Sequence, residues 1–118
     1  MGTPAVRSIV LVAFPFSDLT ATKLRPAIML ADAGRGDSIL CQITSNPYAD
    51  SSAIRLTDAD FDFGSLRHVS FARPGKLFTA NETLIVKIVG ALTQSTHHTV
   101  VNGVVALLQQ ACRYGAGF

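Results

Sequence analysis

Apolar, often β-branched residues fall along this chain in short runs, parted by clusters of Gly, Pro, Asp and Asn, and that spacing predicts strands before it predicts anything else. Residues 8–14 form a buried strand ended by Pro15, followed by a polar surface loop over 17–23. Residues 26–31 and 38–45 are two further apolar runs joined through Gly34 and Gly36, so 26–45 reads as a hairpin. After a loop at 46–52 comes a short alternating strand, 53–56. Residues 58–65 hold three aspartates and Gly64, with Thr57 or Asp58 able to cap a single helical turn. Two strand segments, 68–72 and 76–79, are expected on either side of a Pro74-Gly75 turn. The stretch 82–92 is ambiguous: Leu84, Ile85, Ile88, Val89 and Leu92 have helical spacing in a β-branched context. The tail is a clearer amphipathic helix marked by Val100, Val101, Val104, Val105, Leu108 and Ala111, with Thr93 or Ser95 as N-cap and Gly115 beyond its end. Several short strands and one terminal helix predict a small curled sheet or barrel closed by that helix.

Size supports a single domain over 1–118, large enough for a hydrophobic core without disulfides. With 48% hydrophobic and 15% charged residues and a mean hydropathy of +0.35, so small a monomer has little interior to hide its apolar surface, a first pointer to a dimer. The net charge of +2 does not by itself advertise nucleic-acid binding. Seven of the ten bases are Arg, however, and a guanidinium forks onto phosphate better than an ammonium does; a GC-rich genome produces the same bias. Two cysteines without metal-type spacing fit a reduced cytoplasmic protein. The run 9–16 is too short for a signal-peptide core, and no stretch approaches a membrane span.

Glycine-rich phosphate loops, zinc-type Cys/His spacing and nucleophile elbows are missing from the sequence. Adjacent His97 and His98 point about 100° apart on a helix, poorly placed to share a metal, and are read as exposed polar residues. Arg25 stands out because Pro26 forces it into an extended conformation at a loop–strand junction. It is either a phosphate ligand or the partner of Asp18 or another loop carboxylate. Thr44 and Ser45 close the third strand, and antiparallel pairing brings that end near Arg25. Two hydroxyls there can donate to a phosphate oxygen, or simply end a strand. Arg67, His68, Ser70, Arg73 and Lys76 cluster with Phe71 and Phe78 nearby, a composition suited to single-stranded nucleic acid or to a solvated sheet face. His68 can serve as acid or base near neutral pH.

Five pieces occur in one order: Val10-Leu-Val-Ala-Phe-Pro-Phe-Ser-Asp18, Lys23-Leu-Arg-Pro-Ala27, Leu40-Cys-Gln-Ile-Thr-Ser45, Ser70-Phe-Ala-Arg-Pro-Gly-Lys-Leu-Phe-Thr79 and Lys87-Ile-Val-Gly-Ala-Leu92. In this the chain resembles the MazF/PemK family of bacterial toxins, in its PemK-like branch, over about residues 7–112. The resemblance implies a mainly β domain with a C-terminal helix, a small SH3-like β-barrel of the MazF/PemK/CcdB type. It implies 86–92 as a strand, a homodimer, and a metal-independent endoribonuclease of a type II toxin–antitoxin system that needs no cofactor. Its substrate would be single-stranded RNA, usually mRNA, cut at short motifs by attack of the 2′-hydroxyl. Its partners would be a cognate antitoxin and, in complex with that antitoxin, operator DNA. By this resemblance Arg25 and Thr44, with Ser45 beside it, are the catalytic positions, and Ser70, Arg73 and Lys76 bind RNA; Asp18, Lys23, Ser45 and His68 are expected to contact RNA with them. Two departures stand out: Arg7-Ser8 replaces the Gly-Asp pair many members carry before the first strand, and no carboxylate lies near Ser70. The general base is therefore unassigned, and a non-catalytic nucleic-acid binder or a gyrase poison of the same fold is the alternative.

Overall fold

The turn between the second and third apolar runs sets the geometry of the sheet. In the computed structural model, which describes residues 2–15 and 22–115, strands β2 (Thr22–Gly34) and β3 (Asp37–Thr44) meet across Arg35 and Gly36, with φ of 57° and 79°. Two consecutive positive φ values make a type I′ turn, whose twist matches that of the strands it joins. Strand β1 (Ser8–Pro15) pairs with the other side of β2, setting Val12 opposite Arg25 and Leu11 opposite Pro26. Of the loop expected over 17–23, residues 17–21 lie outside the described residues, and Thr22 and Lys23 belong to β2. Thr22 and Lys23 still pair with Pro15 and Phe14, because polar side chains do not stop a ladder whose partner remains extended.

Strands β4 (Ile54–Leu56), β5 (Phe61–Gly64), β6 (Ser70–Asn81) and β7 (Ile85–Leu92) complete one antiparallel sheet in the order β4-β6-β3-β2-β1-β7-β5. The sheet is strongly curled, and helix α1 (Gln94–Gly115) closes one side, so the mainly β barrel-like architecture with a C-terminal helix is as expected. Both edge strands are very short, which limits edge-to-edge pairing. The curl separates two apolar clusters. Ile9, Ile28, Cys41, Ile43, Leu56 and Leu92 pack with Val100 of the helix, while Val10, Val12, Ala27, Met29, Leu40, Ala80 and Ile85 pack on the other face. Each fully buried Ile, Leu or Met contributes roughly 1.5–3 kcal/mol, so these alternating faces fix the register that positions the groove described below.

Four expectations change. β5 is a strand where only a helical turn was expected; that turn exists as a 3-10 segment, Asp58–Asp60, with Thr57 at its N-cap position. β6 runs through Pro74-Gly75 without breaking. Its register against β3 jumps from Cys41↔Leu77 to Ile43↔Ala72, so residues 73–76 bulge out and Pro74 needs no ladder donor. The Cys41 thiol, Sγ 3.3 Å from the Arg73 carbonyl oxygen, donates to the carbonyl that the bulge takes off the ladder. The stretch 85–92 is a strand, as the family resemblance implied; its helical spacing is overridden by pairing with β1 and β5. The helix, capped by Thr93 through the Thr96 N–H (3.2 Å), lays Val100 and Val104 inward but leaves Val105 and Leu108 exposed. The helix packs onto the bulge: a Cβ on Gly103 would lie 3.1 Å from Pro74, and one on Gly75 would lie 3.7 Å from Leu107. His97 is also not exposed: it packs against the sheet with Nε2 buried, while His98 faces solvent. Burial pushes the His97 imidazole below its ordinary value, against a hydrogen bond with the Met29 backbone.

Candidate nucleic-acid interface

The β2–β3 ladder pairs Ala27 with Gln42 and Ile28 with Cys41; continued by two residues, it sets Arg25 beside Thr44. Both side chains line one groove of about 650 Å³ at the strand ends. Lys23, Ser45, Arg67, His68 and Ser70 line it too, so seven of the residues singled out in sequence converge from three separate segments. Leu11, Leu24, Pro26, Leu66 and Val89 supply its apolar floor and walls. The last contributors arrive on the loop 65–69, which leaves β5 at Gly64. That glycine has φ of +73°, and a Cβ there would sit 2.1 Å from the Val89 carbonyl oxygen. Only the missing side chain lets β5 lie so close to β7 and turn Arg67 and His68 toward the groove.

Charge is concentrated here. Lys23, Arg25, Arg67 and Lys87 all line the groove, and no Asp or Glu does among the described residues. A phosphate 4 Å from one such cation gains about 4 kcal/mol at an effective dielectric of 20, before desolvation is counted. The local field, not the net charge of +2, is therefore what an anionic chain would meet. The hydroxyls are pre-oriented. Thr44 Oγ1 accepts the Asn46 N–H at 3.2 Å, which leaves its own proton as a donor. Ser70, nearly buried, donates to the His68 carbonyl at 2.8 Å and fixes the approach of the loop to β6. Its oxygen retains acceptor capacity only.

Arg73 and Lys76 are not among the lining residues. Arg73 Nε donates to Asp50 Oδ2 at 3.0 Å, and its guanidinium lies 5.6 Å from the centre of the Tyr48 ring. The hydrogen bonds from Arg73 and from the Ser52 N–H hold the Asp50 carboxyl below the usual carboxylate range. Lys76 is exposed on the bulge and adds its charge nearby. Asp18 lies outside the described residues. Tyr48 and Lys87 line the groove but escaped the sequence reading. Tyr48 stood in a stretch read only as loop, and Lys87 in the run whose period was ambiguous; strand alternation through 85–92 would have paired Lys87 with Val89. Among the described residues no group of three or more His, Cys, Asp or Glu could hold a metal ion. A second cavity, about 620 Å³, opens on the other side of the 65–69 loop between Leu56, Asp58 and Phe61. No described helix is long and apolar enough to cross a membrane.

A curled antiparallel sheet backed by one C-terminal helix, with a basic groove at the strand ends, has the architecture of the small SH3-like toxin domains. No protein-family model matches the chain, and no curated protein matches it in sequence. Solved structures do. The MazE–MazF complex of Deinococcus radiodurans superposes with a TM-score of 0.76 at 15% identity, covering 92% of this chain and 98% of that one. The Mycobacterium tuberculosis toxin MazF-mt6 gives 0.68 at 16% identity, covering 87% and 97%. An endoribonuclease in complex with its cognate antitoxin from a mycobacterial species gives 0.71 at 10% identity, covering 92% and 96%. The chain has the fold of the MazF toxins.

Proposed function

We propose that this chain is the toxin of a type II toxin–antitoxin system, a sequence-specific, metal-independent endoribonuclease acting on single-stranded mRNA. The observation that carries the reading is the convergence of Arg25, Thr44, Ser45, His68 and Ser70 in one groove ringed by Lys23, Arg67 and Lys87. The 2′-oxygen of a ribose attacks the adjacent phosphorus, the bond to the 5′-oxygen breaks, and a 2′,3′-cyclic phosphate and a 5′-hydroxyl result. Arg25, always a cation, stabilises the charge gathering on the phosphoryl oxygens. Thr44 donates its proton to one of those oxygens. His68, the imidazole lining the groove, takes the 2′-hydroxyl proton or delivers one to the leaving oxygen. Lys23 and Ser45 hold flanking phosphates; Ser70, whose oxygen is left to accept, meets a ribose hydroxyl; and Lys76 adds charge from the bulge. An antitoxin segment laid along the same groove would block it, and the joint complex would bind operator DNA. Exposed Leu77, Leu84, Val86 and Ile88 fit burial against a second copy, making a cytoplasmic homodimer.

The test is cleavage of mixed-sequence RNA in EDTA, followed by end mapping. Cuts at one motif, lost when the nucleotide 5′ to the cut is 2′-deoxy, support the reading. Arg25→Ala should lower the rate by roughly 100- to 1000-fold, the scale for removing one preorganised donor to a developing oxyanion. Equal cutting of the 2′-deoxy substrate would sink the mechanism. RNA that is bound but left intact would favour a purely binding member of the same fold.

A further inference from the structure

Tyr48 occupies a position that folding alone does not reward. It sits at φ 53°, followed by Ala49 at φ 59°, two non-glycine residues in the left-handed region, where each costs roughly 1–2 kcal/mol. Its side chain gains little burial in exchange, because the residue is 66% exposed. The surrounding loop nevertheless holds it firmly. The Tyr48 N–H donates to Asn46 Oδ1 (2.9 Å), the Asp50 N–H to the Pro47 carbonyl (2.9 Å), and the Ser52 N–H to Asp50 Oδ1 (2.9 Å). From beneath, the Arg73 guanidinium stacks 5.6 Å from the ring centre and is itself pinned by Asp50 at 3.0 Å. Strain maintained around an exposed side chain points to a ligand contact. The ring lines the same groove as Arg25 and Thr44.

We infer that Tyr48 is a stacking platform for an unpaired nucleobase of the bound strand, held in place by the Arg73–Asp50 pair. This rests on the RNA reading above and adds to it a position where a base, not a phosphate, is recognised. Arg73 then acts as a positioning residue: its charge is spent on Asp50 and the ring, which is why it lies outside the groove lining. Stacking tolerates any base but favours the larger purine faces, so this platform biases the nucleotide chosen next to the cut.

The experiment uses the full chain carrying Arg25→Lys to slow cleavage, and a fluorescent pool of random single-stranded RNA of about eight nucleotides, within the usual site size of such grooves. Tyr48→Ala should weaken binding by roughly 5- to 150-fold, the range reported by removal of one stacking ring. The dependence of log affinity on log salt should keep its slope, because no cation is removed. Tyr48→Phe should bind like the parent, whereas Tyr48→Leu should bind like Tyr48→Ala. The ring is exposed, so these variants should fold, which a thermal melt verifies. A parent that binds with Tyr48→Ala equally tight overturns this inference alone. Loss in Tyr48→Phe as large as in Tyr48→Ala also overturns it, since a hydroxyl hydrogen bond would then be the contact. A parent that neither binds nor cuts the pool overturns the RNA reading, and this one with it.

Discussion

Replacing Gly64 by alanine tests how the groove is assembled, and Gly34 provides the matched control. Both glycines have positive φ, +73° and +86°, so an alanine at either costs roughly 1–2 kcal/mol in backbone strain. At Gly34 an added Cβ would meet nothing within 4 Å. At Gly64 it would lie 2.1 Å from the Val89 carbonyl oxygen and 2.5 Å from the Gly90 Cα, both backbone atoms of the paired strand β7. Neither can rotate away, so β5 must move, at a further cost of about 1–3 kcal/mol by analogy with overpacked cores. We expect Gly34→Ala to lose about 1 kcal/mol and Gly64→Ala about 3 kcal/mol, or near 4 °C and 12 °C in Tm for a domain of this size. Urea titrations followed by circular dichroism read the difference as a shift in midpoint at constant slope. The functional readout follows from the same geometry. The loop bearing Arg67 and His68 starts at Gly64, so Gly64→Ala should weaken RNA binding at temperatures where it is fully folded, and Gly34→Ala should not. Equal destabilisation by the two alanines would refute the clash. Native RNA binding by folded Gly64→Ala would refute the link between Gly64 and the groove.

Other parts of the molecule give sharper solution signatures. Asp60 accepts from the Thr57 N–H (2.8 Å), the Thr57 hydroxyl (3.2 Å) and the Thr96 hydroxyl (2.8 Å), tying the 3-10 turn to the first turn of α1. These bonds, the Thr57 N–H foremost, lower its pKa; the stabilisation is present above the ordinary carboxylate value and is lost as pH falls through the lower folded one. Asp60→Ala should therefore cost about 2 kcal/mol at neutral pH and flatten the loss of stability below about pH 4, and an unchanged acid limb would contradict this. Half-buried His97, its pKa lowered chiefly by desolvation, has the same sign at higher pH: stability should fall as pH drops below about 6.5, and His97→Phe should remove that slope in thermal melts. Cys41 is buried and its thiol is pushed up to about 12, whereas Cys112 is exposed; a thiol reagent at mild alkaline pH should modify one cysteine in the native protein and two only in denaturant.

Local signals account for the parts of the fold that the sequence already revealed. Gly34 and Gly36 around Arg35 announce a hairpin because few other residue patterns tolerate consecutive positive φ, and Thr93 announces a helix start because its hydroxyl serves the Thr96 N–H. What was illegible depended on partners distant in sequence. Pro74-Gly75 is a turn signal on its own merits; only β3, pairing on both sides, and α1, packing Gly103 onto Pro74, make it a bulge within one strand. Phe61–Gly64 lacks the length of a strand and becomes one by pairing with β7. The apolar stripe of the helix misled for the same reason, since Leu107, not Leu108, lies over the bulge and Leu108 is left in solvent.

The site divides along the same line. Arg25 and Thr44 were legible as neighbours because a hairpin brings its two far strand ends together, but the exact partner was not: the register shifts between Met29 and Ala31 and between Asp32 and Gly34 set the ladder that, continued from Ala27–Gln42, puts residue 25 beside residue 44. Arg67 and Arg73 look equivalent in sequence, two arginines a few residues apart on a basic stretch, yet they have different employment. Arg67 leaves on the loop after Gly64 and reaches the groove, while Arg73 sits where the bulge turns it onto Asp50 and Tyr48. No count of basic residues distinguishes them; the distinction is made by a glycine that permits one close approach and a proline that forces another departure. A cationic groove can thus arise in a chain of net charge +2, because the fold gathers Lys23, Arg25, Arg67 and Lys87 and diverts Asp50 to Arg73 and Asp60 to the threonines of the helix start. Binding to it should weaken steeply with salt, with a slope set by those few convergent cations rather than by the net charge.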